Sequence, residues 1–262
     1  MFGKLLKQEF KSVGKWYLSL YAMTMSFAVI LGFWLKHMNQ ANIDESNSLW
    51  PMMLTMIIFL GFGAIIAALA LSTLVLIIRR FKNNIYGRQG YLTMTLPATT
   101  HQILLSKLVA AVIWYVLSFL TVILAIFTII LITIGYAELR EGFRQLLTDQ
   151  TFIDVMKQIW GQLGGLNIVA YCVSATIGTI NNIIMLYLAI ALGHLAESHR
   201  ILLSFVAFFV LDMFLMVVIM IVLNNTGISS HYYWFTAGFD LVLSLLMYFS
   251  THYLIKHKLN IQ

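Results

Sequence analysis

The chain has 262 residues, 61% of them hydrophobic and only 10% charged, with a formal net charge of +6. Ordinary soluble domains run at about 45–50% apolar and about 25% charged, so this composition excludes a soluble globular fold and calls for a bilayer. The basic residues sit in short clusters between apolar runs, which excludes a nucleic-acid partner, and the lone Cys172 excludes an intrachain disulfide or a cysteine-based metal framework.

Residues 1–15 predict an amphipathic interfacial helix. At about 100° per residue, Phe2, Leu5, Leu6, Phe10 and Val13 share one face while Lys4, Lys7, Lys11 and Lys15 cluster on the other. That pattern suits a helix lying against anionic lipid headgroups. Glu9 projects from the middle of the apolar face. It is either an acid at the water edge of a tilted helix or the partner of a cation such as Arg79 or Arg80. Lysines followed by an apolar run imitate a signal peptide. The run at 16–35 exceeds the ~7–15 residues of a signal core and lacks a small-x-small site, so it reads as a first anchor.

Six apolar spans are predicted, at about 16–35, 52–78, 108–135, 166–192, 201–223 and 235–255. A spanning helix takes ~20 residues at ~1.5 Å each, so the longest must tilt, kink or protrude. The expected fold is an all-α integral membrane protein, one transmembrane domain over 1–262. It has six transmembrane helices, the N-terminal interfacial helix and an external helical segment between spans three and four. The second span carries Gly61, Gly63, Ala64, Ala67, Ala68, Ala70 and Ser72, small residues that let backbones approach closely, in tight packing or a dimer seam.

Between spans two and three lies 79–107, a basic stretch with Arg79, Arg80, Lys82, Arg88 and Lys107 and no acid, interrupted by Gly87, Gly90 and Pro97. The third connection, 136–165, repeats Leu139, Phe143, Leu146, Leu147, Ile153, Met156, Trp160 and Leu163 at three- and four-residue spacing, which predicts one or two amphipathic helices. It reads as a structural cap in preference to a substrate gate. The fourth connection, GHLAESHR, holds His194, Glu197 and His199 without any zinc spacing and reads as a hydrated turn. His231, Tyr232, Tyr233 and Trp234 fit an interfacial aromatic belt.

An N-terminus in the cytoplasm puts Lys4, Lys7, Lys11, Lys15, Arg79, Arg80, Lys82, Arg88, Lys107, Arg200, Lys256 and Lys258 inside. Only Lys36, Arg140, Arg144 and Lys157 remain outside. The positive-inside rule then places both termini and 79–107 in the cytoplasm of a multi-pass plasma-membrane protein, and 136–165 outside.

Two carboxylates fall within spans, Asp212 and Asp240. Each costs several kcal/mol there unless paired, protonated or hydrated. They either line a translocation path or make packing hydrogen bonds, with Asn181 and Asn182 as candidate partners. No Gly-rich phosphate loop, HExxH or catalytic carboxylate pair is present. The chain reads as a non-enzyme with no cofactor or metal of its own. Work against a gradient would draw its energy from another chain or an ion gradient.

LLKQEFK before the first span, and RRF with YGRQGYLTMTLPATTHQILLSK between the second and third, resemble the membrane subunit of ABC-2-type transporters. The likeness is to small permeases of Gram-positive bacteria, closest to exporters of peptide toxins or antimicrobial peptides. The resemblance implies a coupling helix in 79–107 that docks on a separate ATP-binding cassette subunit, which holds ATP and Mg. It implies a principal docking surface at Tyr86, Gly87, Arg88, Gly90, Tyr91, Leu92, Met94 and Leu96, and a lesser one at His194, Glu197 and His199. Two permease chains, a homodimer, would pair with two ATPase chains among membrane lipids. The large external element of better-known members lies between spans five and six, whereas here it lies between three and four. The expected function is export of an amphipathic peptide or other hydrophobic substrate. The alternative is a self-sufficient ion-coupled carrier or channel using Asp212 and Asp240.

Overall fold

A computed structural model of the protein describes residues 2–40, 49–87, 99–196, 198–226 and 232–257. Their helices are α1 (Phe2–Gln40), α2 (Leu49–Ile85), α3 (Thr100–Ile134), α4 (Tyr136–Thr148), α5 (Gln150–Gly193), α6 (Arg200–Thr226) and α7 (Tyr232–His257). No strand occurs among the described residues. All but the short α4 are long and apolar enough to cross a membrane. The all-α, six-span expectation holds.

Three boundaries differ from the sequence reading. The segment 1–15 is not a separate helix: α1 runs unbroken from Phe2 into the first span. Gly14 is the weakest helix former at the expected junction, and one glycine costs about 1 kcal/mol without stopping a helix. The expected loop 79–107 is helical at both flanks, because α2 continues to Ile85 and α3 starts at Thr100. Phe81 and Ile85 are buried four residues apart, so packing extends the helix past the end of its lipid-grade run. Finally, 136–165 supplies α4 and the first turns of α5. Gly135, at φ 88°, breaks α3 from α4 in a conformation that glycine alone adopts readily. Asp149 caps α5 by accepting the Thr151 amide at 2.9 Å. Phe143 and Leu147 of α4 are exposed.

The chain packs as two compact units. The first comprises Met1–Phe10, Leu76–Val112 and Trp160–Gln262. Its core gathers Ile77, Phe81, Ile85, Tyr86, Leu104, Ile183, Tyr187, Ile190 and Ile255, with the Phe81 and Tyr187 rings stacked 4.0 Å apart. Gly193 lets the end of α5 meet the start of α6: a Cβ there would lie 2.7 Å from the Arg200 carbonyl oxygen and 2.5 Å from the Ser204 nitrogen. Across its most apolar stretch α6 has no fully buried residue: Phe208, Leu211 and Leu215 pack partly buried on Ile184, Met185, Leu188 and Met247, while Phe205, Phe209 and Met213 are exposed.

The second unit comprises Lys11–Val75 and Ile113–Ile159. Ala28, Leu31, Phe62 and Ala125 form its apolar core, flanked by Phe27, Ile58, Ile66 and Ile129. Gly32 would bring a Cβ within 3.0 Å of Ile132, so α1 and α3 approach closely there. Tyr17 stacks on Trp114 at 4.2 Å. Ser118 Oγ lies 3.0 Å from the Tyr21 hydroxyl and 3.2 Å from that of Thr73.

Candidate functional site

Of the two readings of Glu9, the structure supports the ion pair. Both carboxylate oxygens are engaged within the first unit. Arg80 Nη2 lies 2.9 Å from Oε2 and also donates to the Glu9 backbone carbonyl at 3.2 Å. Lys107 Nζ lies 2.6 Å from Oε1, where Asn84 Nδ2 donates as well at 3.3 Å. Arg80 was among the expected partners; Lys107 and Asn84 were not. The Lys107 side chain is only 4% exposed, and a buried ammonium persists only when paired. Its backbone carbonyl accepts the Tyr187 hydroxyl at 3.3 Å.

The local sequence explains the arrangement. Arg80 and Asn84 are one turn apart on α2, so both reach the same carboxylate. Lys107 follows buried Ile103, Leu104 and Ser106 on α3, whose first turn is capped by Thr99 Oγ1 accepting the Gln102 amide at 3.3 Å. A lysine within an apolar helix needs an anion, and it is the early start of α3 at Thr100 that puts Lys107 in that position. A carboxylate shared by two cations is a clamp and not a free base. It binds the second turn of α1 to both helical flanks of the basic connection.

Other expected site residues fall elsewhere. Tyr86 and His194 do not present docking side chains on an outer surface: both are buried, with their rings 4.3 Å apart. Tyr86, the residue after the end of α2, belongs to the core because the helix runs on to Ile85. The His194 Nδ1–H donates to the Ile190 carbonyl at 2.8 Å. Burial, with Lys82 and Arg200 nearby, holds its imidazole below the ordinary pKa. Gly87 closes α2, its amide reaching back to the Lys82 carbonyl at 3.1 Å. A Cβ there would sit 2.7 Å from the Asn83 oxygen, which accounts for glycine. His199 is exposed and takes a positive φ of 55° at the start of α6. Arg88, Gly90, Tyr91, Leu92, Met94, Leu96 and Glu197 lie outside the described residues.

The four candidate path residues do not form one site. Asn181 Nδ2 donates to Asp240 Oδ1 at 3.3 Å between α5 and α7. Ser174 and Thr236 pair at 3.1 Å in the same seam. For Asp240 this matches the packing reading. Asp212 and Asn182 are exposed, and Asp212 makes no hydrogen bond or ion pair among the described residues.

Together the composition, the fold and the buried clamp define an all-α, multi-pass membrane protein. No family model matches the chain, and no curated protein or solved structure is significantly similar to it.

Proposed function

We propose that the chain is the membrane subunit of an ATP-driven exporter of the ABC-2 type, moving an amphipathic peptide or other hydrophobic substrate. The observation that carries this reading is the Glu9–Arg80–Lys107 clamp, which joins the N-terminal helix to both flanks of the basic connection. A push delivered to that connection by a partner ATPase reaches the ends of α2, α3 and α1 that the clamp ties together, the kind of local contact that switching between packed states uses. The positive-inside balance puts this connection and both termini in the cytoplasm of the plasma membrane. A homodimer with two ATPase chains completes the assembly. Docking falls to Tyr91, Leu92 and their neighbours through the resemblance of their motif, with exposed His199 as the lesser contact. Burial removes the Tyr86 and His194 side chains from that surface.

Tyr91→Asp is expected to abolish ATP-dependent transport and copurification with an ATPase while the protein stays in the membrane. Unchanged coupled transport in that variant overturns the docking surface. Gradient-driven flux in liposomes holding this chain alone overturns the reading as a whole.

A further inference from the structure

The first unit contains an open cleft of about 1100 Å³ where the end of α2 meets the turn between α5 and α6. Lys82 and Asn83 line it from α2, and His199 and Arg200 from the start of α6. Arg200 Nε donates to the Ala196 carbonyl at 3.0 Å. Neither its terminal nitrogens nor Lys82 Nζ takes part in an ion pair among the described residues. The two cations are close enough that both depress the protonation of His194. The first-turn amides of α6 add their partial positive charge to the same space. The other wall is apolar: Leu202 and Phe205 line the cleft and are 62% and 65% exposed. Phe205 then meets Phe209 along α6 at 4.7 Å.

Cations at a helix end, continuous with an outward apolar face on a membrane-spanning helix, match one ligand chemistry. It is a phosphate joined to acyl chains, the pattern of basic pockets between membrane helices. We propose that this cleft binds an anionic phospholipid, its headgroup phosphate held by Lys82, Arg200 and the first turn of α6, its acyl chains against Leu202 and Phe205. The headgroup contacts are Lys82, Arg200 and the first turn of α6, so the site does not depend on the ATPase contact proposed at His199. A lipid seated there braces the α5–α6 turn against the end of α2.

The test is native mass spectrometry of the full-length protein from phosphatidylcholine nanodiscs doped with phosphatidylglycerol. The wild type is expected to retain phosphatidylglycerol preferentially. Lys82→Ala/Arg200→Ala is expected to lose roughly 30-fold in that preference, from about 1 kcal/mol per cation. Lys82→Arg is expected to keep it. A photoactivatable phosphatidylglycerol should cross-link the wild type at Ile201–Phe205, a readout that needs no variant to fold. Equal retention of the two lipids by the wild type overturns the proposal. So does cross-linking confined to other helices, or full displacement of the lipid by inorganic phosphate, which would make the cleft a free-anion site.

Discussion

α1, α2 and α3 are joined twice, with different chemistry in each unit. In the first unit Glu9, Arg80 and Lys107 meet as a charged clamp. In the second, Tyr17, Tyr21, Thr73, Trp114 and Ser118 meet as rings and neutral hydroxyls. The clamp residues lie outside their apolar runs, and the neutral set lies within them. A charge inside a bilayer core is costly even when paired, whereas a hydroxyl can satisfy itself on its own helix. Thr73 does so, donating to the Leu69 carbonyl at 2.8 Å. Each unit therefore uses the strongest tie that its surroundings permit.

The comparison can be broken most severely at Glu9. Glu9→Ala leaves Lys107 buried without its anion, at an expected cost of about 3–5 kcal/mol, read as a large drop in the thermal unfolding midpoint in detergent. Replacing Glu9, Arg80 and Lys107 together by Met is expected to restore that midpoint. Under the proposed exporter function, with the clamp transmitting movement, the triple variant stays stable but loses ATP-dependent transport. A triple variant as unstable as Glu9→Ala would mean that the clamp residues act by shape and not by charge.

In the second unit the largest single loss is Trp114→Ala, about 3 kcal/mol from the cavity left behind together with the lost stack on Tyr17, measured in the same melt. Ser118→Ala removes one partner each from Tyr21 and Thr73. It is expected to cost only about 0.6 kcal/mol, the usual scale of a hydrogen bond between membrane helices. A loss as large as that of Glu9→Ala would erase the distinction between the units.

The smallest expected effect sharpens the first unit alone. His194 is held below its ordinary pKa near 6.5, so the unfolded chain takes up the proton more readily. Its contribution is complete above about pH 6.5 and declines as the pH falls below it. Stability measured across that window should show the acid-side loss, and His194→Phe should flatten it.

Much of the fold was legible because its signals are local. Apolar runs of spanning length mark the six crossings whatever they pack against. Gly135 and Asp149 mark helix ends through their own backbone and side chain. Helix ends inside the first unit were misplaced because tertiary burial of Phe81, Ile85 and Tyr86 carries α2 beyond its apolar run. The site was legible by half. An acid on an apolar face announced a partner, and Arg80 was named. Lys107 reads in sequence as the last basic residue of the connection, and only the helix starting at Thr100 places it among apolar neighbours. Asp212 and Asp240 looked equivalent in sequence. Only packing separates the one hydrogen-bonded to Asn181 from the one exposed on α6.

By itself, then, the sequence determined the class of protein, the six candidate crossings and the charge asymmetry among the segments that connect them. Those depend on transfer of each segment from water to lipid, which is additive along the chain. The tertiary structure decided which charges meet: Glu9 finds Arg80 and Lys107 across 71 and 98 residues. It also turned Tyr86 and His194 inward and left Lys82 and Arg200 facing one cleft. Pairings of that kind depend on the folded distance between residues, which no local pattern encodes.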